Sequence, residues 1–250
     1  MVRQIPSPAK SPKSVAKFLP ALATGFILLT ALTPSSGAQT FSRTFVVSPE
    51  RSELEVVNQN GMIKVTAAPN SSKIIINARQ SGAAKIDATQ NAMGKVVVEV
   101  AGLGKVDFEI IVPASSNINL LAYKGQIMVT NLAGTVHVRV TEGDIKVAGM
   151  RSSKVEAHCT QGNVAFSGEV LPSGSYILKS FSGRVEVDLP ADADFKLSAS
   201  SFSGGIGGLD AFPMKFDKRS PHLVKASRGE GGASINLWTQ EGSIHLYRKP

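Results

Sequence analysis

The residues of this 250-residue chain that could carry chemistry are few and scattered. There is one cysteine, Cys159, and there are four histidines: His137, His158, His222 and His245. A lone cysteine excludes an intramolecular disulfide framework and a multi-cysteine metal centre. Cys159 directly follows His158, which invites a thiol–imidazole nucleophile. Within Lys154–Thr160 (KVEAHCT), however, Val155, Ala157 and Cys159 alternate with Glu156 and His158. Adjacent strand residues point to opposite faces, so His158 is turned away from the thiol and Cys159 reads as a small buried side chain. The histidines fall in different repeats, without the convergence that a metal centre needs. Asp144, Glu156, Glu186 and Asp188 could supply paired carboxylates for glycoside chemistry. They are interleaved with Arg139, Lys146 and Arg184, the pattern of a mixed-charge solvated face. A sharper arrangement would place Asp144, His158 and Arg184 on stacked neighbouring strands as a saccharide site. Asp188, Asp192 and Asp194 (DLPADAD) are oxygen-rich but lack EF-hand spacing. Gly204–Asp210 (GGIGGLD) approaches a calcium nonapeptide with its Asp one position late, and reads as a flexible loop. No nucleophile elbow, phosphate loop or dinucleotide fingerprint occurs. No catalytic residue, cofactor or metal is therefore expected.

The elements that position these residues are set by a Gly-punctuated repeat. The pattern Gly-x-Ile/Val-x-Val recurs at Gly61 (NGMIKV), Gly125 (KGQIMV), Gly134 (AGTVHV), Gly143 (EGDIKV) and Gly162 (QGNVAF). It returns at Gly183 (SGRVEV), Gly232 (GGASINL) and Gly242 (EGSIHL), with a degenerate copy at Gly204. Gly125, Gly134 and Gly143 are nine apart, and Gly143, Gly162, Gly183 and Gly204 are 19, 21 and 21 apart. Glycine turns the chain without steric cost, and the alternating apolar residues that follow bury one side of a short strand. A recurring turn–strand unit with no helical period indicates a β-solenoid or a many-stranded sandwich. Parity directs Val136, Val138, Val140, Ile145, Val147, Val164, Phe166, Val185, Val187 and Leu189 inward. It directs His137, Arg139, Asp144, Lys146, His158, Arg184 and Glu186 outward, as a candidate interaction face. Phe45–Pro113 has longer strands that read as antiparallel hairpins, and Ala114–Asn117 is a plausible seam. Trp238 and Tyr247, in the last strands, could cap the solenoid end or stack on sugars.

The N-terminus has a different composition. Residues 1–17 are basic and acid-free, Phe18–Leu32 is an apolar run of 15, and Thr33–Thr40 is small and polar. That succession reads as a secretory signal cleaved before Gln39, with Ser36 and Ala38 at the cleavage site. The apolar run is too short to span a membrane, for which about 20 residues are needed. Beyond residue 38 the net charge falls from +8 to +4, with no basic run longer than two, so nucleic acid is not an expected partner. The domain reading is 1–38 signal peptide and 39–250 β-repeat domain, divided into a flatter portion at 39–113 and solenoid repeats at 114–250.

Thr141–Val147 (TEGDIKV), Ser180–Leu189 (SFSGRVEVDL) and Gly229–Tyr247 (GEGGASINLWTQEGSIHLY) together resemble an exported bacterial family of adhesin-like β-strand repeats, the auto-transporter adhesin head domains. The resemblance covers most of 41–250 and implies a right-handed β-solenoid with a flatter N-terminal sheet. It implies no catalytic residue. Phe202–Ser220 departs from it, breaking the repeat. The expected function is a non-catalytic interaction, scaffold or adhesin-like protein of the cell envelope, periplasmic or at the surface. Its partner would be an envelope protein or polysaccharide, with self-association through end strands as a further possibility. The rivals are a carbohydrate-active enzyme on a β-helix scaffold and a passive structural module.

Overall fold

The computed structural model describes residues 39–249. The expected export signal at 1–38 lies outside them. The chain opens with β1 (Gln39–Val46) and then lays down strands mostly in pairs. These are β2 (Glu53–Asn60) with β3 (Ile63–Ala68), β4 (Lys73–Gly82) with β5 (Lys85–Gln90), and β6 (Val96–Ala101) with β7 (Gly104–Pro113). Next come β8 (Asn117–Lys124) with β9 (Ile127–Thr130), β10 (Val136–Glu142) with β11 (Ile145–Met150), β12 (Lys154–Gln161) with β13 (Val164–Gly168), and β14 (Ser175–Ser182) with β15 (Val185–Pro190). The chain ends with β16 (Phe195–Ser201), β17 (Ile206–Gly207), β18 (Lys215–Arg219), β19 (Leu223–Arg228), β20 (Ala233–Glu241) and β21 (Ile244–Lys249).

Each pair gives one strand to each of two sheets. Sheet A has ten strands, ordered β1-β4-β7-β3-β9-β11-β13-β15-β21-β17. Sheet B has eleven, ordered β18-β19-β16-β20-β14-β12-β10-β8-β2-β6-β5. The central strands are parallel within each sheet, as a solenoid requires. Every residue assigned inward by parity is buried, and the two apolar faces form one continuous core. Both sheets run without a break past Ala114–Asn117, where Asn117 N donates to Ser52 O at 2.8 Å. The N-terminal strands are not simply hairpins: β2/β3 and β6/β7 are parallel coils, and only β1, β4 and β5 run antiparallel.

Spatial order departs from chain order at both ends. After β2/β3 the chain makes β4 and β5, then returns to insert β6/β7 between them and β2/β3. After β14/β15 it makes β16 to β19, then inserts β20/β21 between β14/β15 and β16/β17. The last strands are thus interior, and Trp238 and Tyr247 do not cap the solenoid. The cap is the segment where the repeat breaks. Leu209 and Phe212 are buried there, and Phe212 packs edge-on against Phe195 with ring centroids 5.9 Å apart. Gly204–Asp210 is therefore a structured part of the lid rather than a loose loop, and Asp210 pairs with Arg219 at 2.8 Å. Antiparallel outer strands close off both ends of sheet B and the N-terminal end of sheet A, whereas sheet A ends at the cap in the two-residue parallel strand β17.

Where each coil passes from sheet B to sheet A, Gly61, Gly125, Gly143, Gly162, Gly183 and Gly242 stack into a ladder. Successive members approach so closely that a β-carbon would enter the neighbouring coil's backbone carbonyl. Gly134 belongs to the opposite corner, against Ser116 O, so the nine-residue spacing is half a coil and the longer spacings are whole coils. A second ladder lines the interior three residues before Gly162, Gly183, Gly242 and Gly204, the last of which rests on Gly242 O. Ser180 Oγ donates to Gly162 O at 2.7 Å, Thr239 Oγ1 to Gly183 O at 2.9 Å, and Ser201 Oγ to Gly242 O at 2.8 Å. Cys159 Sγ occupies the same position, 3.0 Å from Gly143 O. These side chains satisfy carbonyls that the tight glycine corner would leave unpaired in the core.

Candidate functional site

The seven residues singled out in the sequence do not share one surface, which corrects the expectation of a single outer contact face. His137 and Arg139 on β10 and His158 on β12 lie on the outer face of sheet B. Lys146 on β11 and Glu186 on β15 lie on the outer face of sheet A. Asp144 and Arg184 sit at the glycine corner between the two sheets. There Asp144 Oδ1 accepts from Asn163 N at 2.8 Å, and Asn163 Oδ1 accepts from Arg184 N at 3.0 Å. Asp144 is therefore part of a hydrogen-bonded ladder that fixes the corner. Asn163 separates it from Arg184, and His158 faces elsewhere, so the three do not assemble into a saccharide site. Arg184 Nη1 turns to Glu186 Oε1 at 3.2 Å.

On sheet B, Glu156 gathers three basic side chains. His137 Nδ1 lies 3.1 Å from Oε2, His158 Nε2 lies 3.2 Å from Oε1, and Arg139 Nη2 lies 4.0 Å from Oε1. The His158 approach lacks hydrogen-bond alignment despite its distance. Burial pushes the His158 pKa below the ordinary histidine value, and the Glu156 charge only partly offsets this. In the sequence Glu156 is one outward acid among several. Its role as the hub follows from parallel register, which sets it beside His137 and which the sequence does not fix.

Cys159 is 6% exposed, and burial pushes its thiol pKa up to about 11. An unfolded thiol ionises near 8.5, so between about pH 8.5 and 11 the folded state holds the extra proton. Stability contributed by this group is full below that window and declines as pH rises through it. A thiol-specific reagent at pH 8 should leave the folded protein essentially unmodified and react once denaturant is added. The alkaline loss of melting temperature should shrink in Cys159→Ser, whose hydroxyl can take over the bond to Gly143 O. Fast labelling of the folded chain would show that the thiol is not held in the core.

The remaining acids are dispersed. Glu186 and Asp188 face outward on β15, while Asp192 and Asp194, in the turn after β15, line a shallow depression with Glu169 and Glu230. Trp238 and Tyr247 are on different sheets, so they form no common platform. Tyr247 packs on His245 with centroids 4.4 Å apart on sheet A, and Trp238 packs on Phe181 at 6.4 Å on sheet B.

The side chains missed in the sequence are the apolar ones on the outside of sheet B. In register across the coils run Leu121, Arg139, His158, Lys179 and Trp238. One step toward the glycine corner the same strands present Tyr123, Thr141, Thr160 and Phe181. Leu121 is 44% exposed, Tyr123 56% and Phe181 48%. The signal was available in the outward positions of LLAYK and LKSFS, which break the apolar-in, polar-out rule. An open depression lies over Arg139, His158, Lys179, Phe181 and Trp238. No helix among the described residues is long and apolar enough to cross a membrane.

Residues 24–247 match the family model described as Toastrack DUF4097. No curated protein matches the chain. Among solved structures, a candidate cell adhesion protein from Clostridium sporogenes ATCC 15579 is similar at 13% identity and a TM-score of 0.49, over 84% of this chain and 100% of that one. A candidate adhesin from Bacteroides fragilis NCTC 9343 is similar at 10% identity and a TM-score of 0.40, over 84% of this chain and 98% of that one.

Proposed function

The chain belongs to the Toastrack DUF4097 family, and from that membership we propose that it is a non-catalytic, exported β-solenoid that binds a cell-envelope polysaccharide or protein through the outer face of sheet B. One observation carries this reading: exposed Leu121, Tyr123 and Phe181, together with half-buried Trp238, border Arg139, His158 and Lys179 on a rigid parallel sheet. Exposed apolar groups rimmed by polar ones mark interaction surfaces. The carboxylates, by contrast, are divided between two sheets and a corner, where Asp144 and Glu156 already have partners. Export is supported by the basic, apolar and small-residue succession of residues 1–38.

The test is to incubate the protein with a panel of cell-wall polysaccharides and envelope proteins and record both retention and new chain ends. Retention without cleavage is expected. It should be lost in a sheet B double variant, Arg139→Ala with Phe181→Ala, and kept in the sheet A variant Lys146→Ala with Glu186→Ala. New chain ends would overturn the non-catalytic reading and direct attention to Glu186 and Asp188. Loss of retention only in the sheet A variant would overturn the choice of face.

A further inference from the structure

The outer face of sheet B has a charge pattern that narrows its ligand. Two adjacent rows of this face contain no acid between β2 and β20. One row reads Val57, Leu121, Arg139, His158, Lys179, Trp238. The other reads Gln59, Tyr123, Thr141, Thr160, Phe181, Gln240. Acids flank these rows: Glu142, at the glycine corner, pairs with Lys124 at 3.2 Å, Glu241 lies at the same corner on β20, and Glu156, one row further from the corner, pairs with His137 at 3.1 Å and lies 4.0 Å from Arg139. Arg139 and Lys179 are exposed, and Lys179 has no acidic partner among the described residues. The panel thus combines a free cation at Lys179, an exposed one at Arg139 held only at 4.0 Å by Glu156, hydroxyl groups from Thr141 and Thr160, and flat rings at Trp238 and Phe181.

We propose that this panel binds an acidic polysaccharide, a polyuronate, laid along the solenoid axis across β8, β10, β12, β14 and β20, with carboxylates on Arg139 and Lys179 and a sugar ring on Trp238. The inference rests on the binding reading given above and names the ligand of that same face. Parallel strands repeat at about 4.8 Å, close to the advance of one sugar in an extended glycan, so successive residues meet successive coils. Arg139 and Lys179 are on alternate strands of this set, with His158 between them, which matches carboxylates carried along a chain rather than a single small anion. Trp238 and Phe181 present aromatic faces that suit the apolar side of a pyranose, and the Trp238 indole adds an N–H donor. Cation contacts to exposed carboxylates are screened by salt, which makes the electrostatic part separable from stacking.

Trp238 is the only tryptophan in the chain, so its emission reports on this face alone. The full chain is titrated with polygalacturonate, with fully methyl-esterified polygalacturonate and with dextran. The expected result is a saturable change in Trp238 emission with polygalacturonate, weakened by salt, and at least about tenfold weaker binding of the esterified polymer. Retention of Trp238→Ala and of Lys179→Ala, measured by affinity electrophoresis in polygalacturonate gels, should fall about tenfold, with thermal unfolding unchanged. Equal binding of the esterified polymer or of dextran, lost in the same variants, would overturn the acidic ligand class while leaving the binding face in place. Polygalacturonate binding that survives both variants would overturn the face itself. An emission change that tracks protein concentration and ignores every polymer would assign the panel to a second copy of the chain and overturn the proposal.

Discussion

Ending the chain after Arg228 should abolish cooperative folding, although it removes only 22 residues from the C-terminus. In a solenoid whose chain order matched its spatial order, such trimming would fray one end. Here the lost strands are β20 and β21, which lie between β14/β15 and the cap. All parallel contacts that hold β16 to the rest of sheet B pass through β20, and β17 pairs only with β21. Ile235, Leu237, Ile244 and Leu246 are each at most 2% exposed. At about 2 kcal/mol for each, their removal forfeits about 8 kcal/mol of burial, comparable with the whole stability of an ordinary domain. The loss also uncovers Phe195, Leu197 and Ala199 on the detached cap and the edges of β14 and β15. The expected result is a truncated protein with no sharp thermal transition by circular dichroism and a tendency to aggregate. Removing β1 instead takes an exposed edge strand and should leave one transition at a lower temperature. A sharp melt of the 1–228 chain within a few degrees of the full one would show that the cap docks without its inserted coil.

That insertion is beyond sequence reading for a physical reason. The apolar alternation in β20 and β21 is the same whether a strand is terminal or interior, because every coil buries the same side. What parity does determine, it determines well: Val136 to Val140, Ile145, Val147, Val164, Phe166 and Val185 to Leu189 point inward. Face assignment beyond that needs to know which sheet a strand joins. His137 and Lys146 are nine residues apart and both outward, yet the glycine corner at Gly143 sends them to opposite sides of the molecule. Parity alone treats the two sides as one. Cross-coil neighbours are likewise hidden, since the meeting of His137, Glu156 and His158 depends on register between β10 and β12. Cys159 shows a subtler gap. Its burial is legible, but its place in a row of Ser180, Thr239 and Ser201 emerges only when residues are counted back from each glycine. Ala122 and Val140, at the same position on β8 and β10, separate that row from Asn58, whose Nδ2 donates to Val106 O at 2.9 Å.

In the sequence the repeated glycines read as turn formers, and one pair of substitutions separates that role from close packing. Gly94 and Gly162 both have positive φ, +86° and +140°. A β-carbon at Gly94 would meet nothing within 4 Å, whereas at Gly162 it would collide with the Gly143 carbonyl of the neighbouring coil. Gly94→Ala should therefore cost only backbone strain, about 1 kcal/mol. Gly162→Ala carries that strain and must also push two coils apart in the middle of the stack. Separation there stretches the bonds from Gly143 N to Gln161 O and from Gly162 N to Ser182 O, both 2.8 Å. It also disturbs Cys159 and Ser180, whose side chains bond to the carbonyls of Gly143 and Gly162. A cost of about 3–4 kcal/mol is expected, at the upper end of ordinary point mutations. Chemical denaturation of the two variants reads the difference directly. Equal destabilisation would mean that turn conformation alone explains the repeated glycine. A larger loss at Gly162 would mean that the repeat is fixed by the distance between coils, because only a residue without a side chain lets one corner rest on the next.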